Sequence, residues 1–165
     1  MTPKAAGLSR LLLGQNPYEG FPADQYPADP QPQPRGWGYE HWIFDEILDF
    51  VRPGLVIEVG SWKGGSAIKM AWIAKALDLD TAIVCVDTWL GSPEHLLRPE
   101  RNRHSVEINR RWGFPQLYFG FLANVLKWEG QDRIVPFPST SENAAVVFQK
   151  LGLLADVIYI DAAHE

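Results

Sequence analysis

Residues 55–66 read LVIEVGSWKGGS, and this stretch decides the class of fold. Its first five residues form a short, mainly apolar run that stops at a glycine, which is typical of a buried strand in a parallel sheet. Gly60 permits a sharp turn, and Gly64 and Gly65 permit a ligand to approach the backbone closely. Ser66 is a suitable N-cap for a following helix. The stretch therefore predicts a strand, a ligand-binding turn and a helix in succession.

Strands and helices alternate along the rest of the chain. Apolar runs predict further strands at residues 81–86, 133–137 and 156–160. Helical spacing of apolar residues predicts helices at residues 38–51, 66–77, 116–128 and 141–151. This alternation indicates a Rossmann-like α/β fold, a doubly wound parallel sheet with helices on both faces. Ligands of such sheets bind at the carboxyl ends of the strands, near the point where the strand order reverses.

The bulk properties exclude several classes of protein. The 165 residues form one domain by length, with ordinary apolar and charged fractions. No apolar run approaches the roughly 20 residues that cross a bilayer, and the amino terminus lacks a signal-peptide core, so we expect a cytoplasmic protein with no membrane partner. A net charge of −5 argues against nucleic acid as the main partner. The single cysteine, Cys85, excludes an internal disulfide.

The chain divides into an arm, a domain and an insertion. Residues 1–36 are expected to form a proline-rich arm, because six of the 13 prolines lie in residues 17–34. The domain is expected over residues 37–165. Within it, residues 90–115 form an arginine-rich insertion with five arginines and three glutamates. This insertion is either a lid that recruits an anionic or sugar-like acceptor, or a solvated helix near residues 105–112.

Three kinds of ligand compete for the glycine segment, which we define as residues 58–66. A phosphate-binding loop requires Gly-Lys-Ser/Thr, but Lys63 is followed by Gly64 and Gly65. A dinucleotide fold requires G-x-G-x-x-G, and here the bulky Trp62 stands where the pyrophosphate would pass. A methyltransferase needs only a loose glycine turn, because its cofactor carries an amino-acid end and no phosphate. The segment therefore favours the third reading.

A carboxylate follows the second predicted strand. Asp87 lies 27 residues after Gly60, directly after the run TAIVCV. An acid at this place accepts hydrogen bonds from both hydroxyls of a ribose in nucleoside-binding folds. The alternatives are a helix cap or a solvated loop acid. Its position at a strand end favours the ribose contact.

Together, VIEVGSWKGGSAIKMA and VCVDTWLGS resemble the class I S-adenosylmethionine-dependent methyltransferases, especially the catechol O-methyltransferase-like and related small methyltransferase families. The resemblance runs from about Trp37 to the end of the sequence. It implies S-adenosylmethionine as cofactor and methyl transfer to an oxygen of a small-molecule acceptor. The sequence supplies four strands of that fold, so its C-terminal strands are expected to be missing. The unpaired edge of the fourth strand then predicts a homo-oligomer.

The resemblance also assigns residues to each part of the cofactor. Glu58, the acid before the glycine turn, would support the methionine amino group. The methionine portion would further contact five residues of the glycine segment: Gly60, Ser61, Trp62, Gly64 and Ser66. The nucleoside would contact residues after the second and third strands: Asp87 at the ribose, and Thr88, Trp89, Ser141 and Glu142 at the adenine.

The last predicted strand leads into Asp161 and His164, the two catalytic candidates. In metal-dependent relatives an acid at the position of Asp161 binds a divalent cation such as Mg, which holds two substrate oxygens. Alternatively, His164 acts as general base for a substrate hydroxyl. A third possibility is that Asp161 only contacts the cofactor and His164 has no role.

Two further functions stand beside the enzyme hypothesis. The first is a non-catalytic nucleoside-binding or assembly module that keeps the fold but has no acceptor site. The second is an NAD-dependent oxidoreductase, which Trp62 disfavours. Methyl transfer requires mainly that donor and acceptor are aligned, and it needs few catalytic side chains. The sequence therefore identifies the donor site better than the acceptor site.

Overall fold

The computed structural model describes residues 1–26, 28, 42–93, 95 and 108–162. Within them the strands are β1 (Leu55–Val59), β2 (Ala82–Asp87), β3 (Arg110–Arg111), β4 (Phe114–Pro115), β5 (Ile134–Pro138) and β6 (Val157–Ile160). The α-helices are α1 (Pro3–Leu13), α2 (Ile43–Val51), α3 (Gly65–Ala76), α4 (Leu117–Lys127) and α5 (Ser141–Leu151). None of these helices has the length and apolar character needed to span a membrane.

Four strands form one parallel sheet in the order β5-β2-β1-β6. Each of them lies within a residue or two of its predicted position, and the strand order reverses between β1 and β6. The switch point, where ligands of such sheets bind, is therefore at the carboxyl ends of these two strands. The short strands β3 and β4 pair separately as an antiparallel hairpin.

Consecutive residues of β1 point to opposite faces of the sheet, and each face carries a core. Val56 packs with helices α2, α3 and α4, whereas Ile57 packs with α1 and α5. Phe121 of α4 and Leu48 of α2 are among the fully buried side chains of the first core. Both faces of the sheet are thus covered, which confirms the predicted doubly wound α/β fold.

The first residues of the expected arm form a helix that the sequence analysis did not predict. Thr2 caps α1, since its Oγ1 accepts a hydrogen bond from the amide of Ala5, and Gly14 ends the helix in a left-handed conformation. Ala5 and Leu8 are buried against the sheet. The helix was missed because its buried stripe consists of few residues, some of them small, and therefore gives a weak periodic signal.

The two edges of the sheet differ in their protection. At β5, the phenol of Tyr18 donates a hydrogen bond to the carbonyl of Ile134 (3.1 Å), and the amide of Thr2 donates to that of Asp132 (2.7 Å). At β6, no strand of the described residues pairs on the outer side. Ile158 and Ile160 of β6 are 60% and 67% exposed. The amino-terminal residues thus cover one edge, and the other edge is open.

Candidate cofactor-binding site

Gly60 brings the glycine segment into contact with the chain that follows β6. Its φ of +88° is in the left-handed region, and a Cβ at this position would lie 2.6 Å from Cα of Ala162 and closer still to the carbonyl oxygen of Asp161. The amide of Asp161 donates to the carbonyl of Val59 (2.8 Å). Only glycine fits here, because any side chain would push the ends of β1 and β6 apart.

The start of α3 differs from the prediction that Ser66 caps it. The helix begins at Gly65, and its N-cap is Gly64, with a φ of +87°. A Cβ on Gly64 would lie 2.9 Å from the ring of Phe121, so the turn packs directly on α4. Ser66 is inside the helix, and its hydroxyl donates to the carboxylate of Glu58 instead. The prediction that Ser66 caps α3 is therefore wrong, because the Ser66 hydroxyl donates to the buried carboxylate of Glu58 and not to the helix.

Glu58 is a buried acid without a cationic partner among the described residues. Its side chain is fully buried and accepts hydrogen bonds from Ser66 and from the thiol of Cys85 (3.5 Å). Burial raises the pKa of the Glu58 carboxyl, and the negative charge of Asp161 raises it further. The adjacent Ser61 hydroxyl is buried and has no hydrogen-bond partner of ordinary geometry. A buried acid without a cationic partner and a buried hydroxyl without a hydrogen-bond partner among the described residues are suited to a ligand ammonium, and the neighbouring Ser66 is partly exposed.

The raised pKa of Glu58 predicts a pH-dependent effect of Glu58→Gln on stability. The folded protein holds this proton to higher pH than the unfolded chain, whose glutamates ionise near about 4.3. The favourable contribution of Glu58 to the free energy of unfolding is therefore complete below that pH, and it is lost as the pH rises through the raised pKa of Glu58. The introduced glutamine does not titrate, so we expect the variant to become progressively more stable relative to the wild type as the pH rises above about 4.3. Urea unfolding across this range measures the difference.

For a matched variant, Glu142→Gln, we expect the change of stability with pH to have the opposite sign. The pKa of Glu142 is lowered, mainly by a hydrogen bond from its own backbone amide at the start of α5. Glu142→Gln should therefore lose stability relative to the wild type as the pH rises through the range in which this carboxyl ionises. A Glu58→Gln difference that stays constant with pH would contradict the burial argument.

Asp87, the last residue of β2, fastens the glycine segment to the neighbouring strand. Its Oδ2 accepts from the amide of Trp62 (2.8 Å) and its Oδ1 from the amide of Trp89 (2.7 Å). The indole of Trp89 in turn donates to the carbonyl of Trp62 (2.7 Å). Trp62 is thereby held at a φ of +48°. Each carboxylate oxygen keeps a second lone pair, so Asp87 can also accept from the two hydroxyls of a ribose.

The two residues proposed to lie beside the adenine have different environments. Thr88 is exposed, whereas Trp89 is 1% exposed and its ring packs against Tyr118 and Phe121 at 5.1 and 4.9 Å between centroids. The Trp89 ring therefore belongs to the core, and it lies between α4 and the glycine segment. An adenine would meet Thr88 and the backbone of Trp89.

Ser141 and Glu142 lie at the exposed start of α5, beside the end of β2. Thr140 caps this helix by accepting from the amide of Asn143 (3.2 Å). The amide of Ser139 donates to the carbonyl of Asp87 (3.0 Å), which places the turn before α5 next to Asp87. The sequence and the structure thus bring these residues to the same edge of the sheet, and their adenine contact stays a prediction.

Asp161 follows β6 at the switch point, and Tyr159 fixes its carboxylate. The phenol of Tyr159 donates to Oδ2 of Asp161 (3.1 Å). Burial raises the pKa of Tyr159 to about 12, with a further contribution from the charge of Asp161, so the phenol stays protonated at neutral pH. His164 lies outside the described residues. The described residues contain no group of three or more possible metal ligands, so they do not complete a site for the proposed Mg, and no step is assigned to a metal.

The insertion is described at its two ends. Residues 94 and 96–107 lie outside the described residues, so the solvated helix expected near residues 105–112 is tested only in its last part, where residues 110–112 are not helical. Arg110 and Arg111 form β3, and positive φ values at Trp112 and Gly113 turn the chain back into β4. At the other end, His95 stacks on Trp62 with ring centroids 4.8 Å apart.

The sequence analysis missed three residues that support the site. His95 covers the ring of Trp62, Tyr159 binds Asp161, and the amide of Asn124 donates to the carbonyl of Lys63 (3.0 Å) from α4. Asn124 is a polar residue on the buried side of a helix, which is a detectable signal. His95 and Tyr159 have no such signal, because the sequence around each does not indicate its partner.

The chain was compared with models of protein families, with curated proteins and with solved structures. Residues 38–108 match the family model "Rhamnosyl O-methyltransferase/CmcI". No curated protein sequence matches the chain. Among solved structures, the chain is similar to a protein from Klebsiella pneumoniae assigned as an O-methyltransferase, with 15% identity and a TM-score of 0.48. It is also similar to an O-methyltransferase from Bacillus cereus in complex with S-adenosylhomocysteine, with 15% identity and a TM-score of 0.44.

These two alignments cover 96% and 94% of this chain but 59% and 54% of the solved chains. The chain therefore spans little more than half the length of these structures. The family match includes the glycine segment and Asp87, the residues on which the resemblance depends. The resemblance to the S-adenosylmethionine-dependent O-methyltransferases is thereby confirmed for this part of the chain.

Proposed function

We propose that the chain binds S-adenosylmethionine at the carboxyl ends of β1 and β2 and takes part in methyl transfer to an oxygen of a small molecule. The observation that carries this proposal is the hydrogen bond from the Trp62 amide to Asp87 (2.8 Å). It holds Asp87, the proposed ribose-binding acid, against the glycine turn proposed to bind the amino-acid end. The O-methyltransferase family match supports oxygen as the methyl acceptor.

The residues of the chain contribute binding and orientation. S-Adenosylmethionine, when bound, supplies an already activated methyl group, so alignment with the acceptor provides much of the rate. Ser61 and Ser66 hold the ammonium beside the buried carboxyl group of Glu58, and Asp87 holds the ribose. Asp161, held by Tyr159, lies at the switch point, where it accepts the proton of the acceptor hydroxyl.

Calorimetric titration of the full chain with S-adenosylhomocysteine and with NAD tests the proposal. We expect binding of S-adenosylhomocysteine and none of NAD, because the bulky Trp62 stands at the second glycine position of the dinucleotide motif G-x-G-x-x-G. Binding of NAD alone would replace the methyltransferase proposal with the oxidoreductase. Binding of S-adenosylhomocysteine without turnover of any phenolic or sugar acceptor would favour the non-catalytic nucleoside-binding module.

The open edge of β6 supports a second proposal, self-association of the chain. An unpaired strand exposes its backbone N–H and C=O groups, and the exposed Ile158 and Ile160 add apolar surface beside them. We expect an oligomer by light scattering at micromolar concentration, and a monomer for Ile158→Lys, because a lysine on an edge strand opposes pairing. Phe50→Lys is the matched control, since Phe50 is 91% exposed on α2. A wild-type monomer would contradict self-association.

A further inference from the structure

A hairpin with exposed aromatic and basic side chains lies between the insertion and α4. We define the basic hairpin as residues 108–116, which contain two arginines and no acid, in a chain with a net charge of −5. Both arginines of β3 are exposed. Trp112 at the turn is 89% exposed, and Phe114 is 58% exposed. Two large exposed aromatic rings beside two cations are typical of a surface that binds a ligand.

The base of the basic hairpin is fixed to the loops around the candidate site. Ile108 is 1% exposed, and its Cδ1 lies 2.8 Å from the place of a Cβ on Gly91, four residues after Asp87. The amide of Gln116 donates to the carbonyls of Ile108 and Asn109 (2.9 and 2.8 Å). Gln116 is also the N-cap of α4. The hairpin therefore begins and ends in the loop cluster at the carboxyl edge of the sheet.

Arg111 and Trp112 form a recognition pair with one open side. The guanidinium of Arg111 lies over the Trp112 ring at 4.2 Å from its centroid, so it covers one face of the indole. The 89% exposure of Trp112 leaves the other face free for a planar ligand ring. Arg110 on the same short strand adds a second cation. A ring carrying a negative charge meets both features at once.

We propose that the basic hairpin binds the methyl acceptor and that this acceptor is a planar ring bearing a carboxylate or a similar anionic group. The inference rests on the proposed function, because it assigns the second substrate of the same site. The ring stacks on the open face of Trp112, and its negative charge pairs with Arg111 and Arg110. The same pairing directs anionic acceptors toward a chain whose overall charge would repel them.

A membrane surface is the main competing occupant, since arginine and tryptophan also bind lipid headgroups. Two cations provide only about 2 kcal/mol at an anionic membrane, which alone does not hold a protein there. The net charge of −5 further opposes approach to anionic lipid. A small anionic ring requires no such additional attraction, and the base of the basic hairpin packs on the loop that follows Asp87, so the described residues favour such a ligand.

The experiment compares two probes of the same shape, one with an anionic carboxylate and the other with a neutral carboxamide. 4-Hydroxybenzoate and 4-hydroxybenzamide have the same ring and hydroxyl, and only the first is anionic. Each is titrated into the full chain with saturating S-adenosylhomocysteine, and the Trp112 indole N–H signal is followed by NMR. We expect 4-hydroxybenzoate to bind about tenfold more tightly, a difference that corresponds to about 1.4 kcal/mol and that the double variant Arg110→Gln/Arg111→Gln removes. Trp112→Ala, followed through the other indole signals, should weaken binding of both probes by a similar factor.

Trp42→Ala provides the matched control, because Trp42 is also exposed (68%) but precedes α2. It should leave both affinities unchanged. Equal affinities for the two probes, or equal losses in the Trp42 and Trp112 variants, would overturn the proposal. So would Trp112-dependent binding to vesicles of phosphatidylcholine and phosphatidylglycerol without a preference for hydroxybenzoate. Failure of the wild type to bind S-adenosylhomocysteine is measured separately and would reject the proposed function itself.

Discussion

Asp87→Ala is expected to weaken binding of S-adenosylhomocysteine by about a hundredfold. The variant loses the proposed acceptor of two ribose hydroxyls, and hydrogen bonds to a charged group are worth about 1.5–3 kcal/mol each. It also releases the amides of Trp62 and Trp89, which Asp87 holds at 2.8 and 2.7 Å. We therefore assign about 3 kcal/mol in total, which is about a hundredfold in Kd. Calorimetric titration measures it directly.

Asp80→Ala is the matched control for this variant. Asp80 is an exposed acid just before β2, at the opposite end of the strand from Asp87. It removes the same charge from the chain, so any long-range electrostatic effect on the ligand is common to both variants. An unchanged affinity in Asp87→Ala would remove the basis of the proposed nucleoside site, and equal losses in both variants would show that the charge acts nonspecifically.

Gly60→Ala is expected to destabilise the protein by about 3 kcal/mol. A left-handed backbone costs an L-residue about 1–2 kcal/mol, and overpacking costs about 1–3 kcal/mol more. Both costs apply here, because φ is +88° and the added methyl would lie 2.6 Å from Cα of Ala162. For a chain of this length the loss corresponds to roughly 10 °C in Tm. Thermal and urea unfolding measure it.

Gly152→Ala separates the cost of the left-handed backbone from the cost of overpacking. Gly152 also has a positive φ (+63°), but a Cβ there would meet nothing within 4 Å. It should lose only about 1 kcal/mol, the backbone part of the effect. If both variants lost the same stability, the close contact between the ends of β1 and β6 would not be the cause.

The parallel core was predictable because its signals are local. The apolar runs that became β1, β2, β5 and β6 are each bounded by glycine, proline or acidic residues, and helical spacing marked the helices between them. Gly60 and Asp87 were placed at strand ends on the same grounds. The order of the strands in the sheet has no comparable signal, because it depends on contacts between residues far apart in the chain.

The failures have physical causes of the same kind. Ser66 looked like a helix cap, but the buried Glu58 on the neighbouring strand takes its hydroxyl. Trp89 looked like a pocket residue, but the aromatic rings of α4 enclose it. The partner of Asp161, Tyr159, looked like an ordinary strand residue. In each case a tertiary contact decides the role of a residue whose local pattern indicates another.

The contact between Gly60 and the chain after β6 has a consequence for synthesis of the protein. β6 pairs with β1 through Val56 and Val157, which are about a hundred positions apart. When β1, α3 and β2 have emerged from the ribosome, the nascent chain contains the glycine segment and Asp87. It does not yet contain Asp161 and Ala162, the residues that Gly60 contacts. Closing so long a loop is slow compared with forming the local elements. The nascent chain therefore cannot complete its ligand site until β6 emerges, and the half-made sheet is the stage most exposed to misfolding.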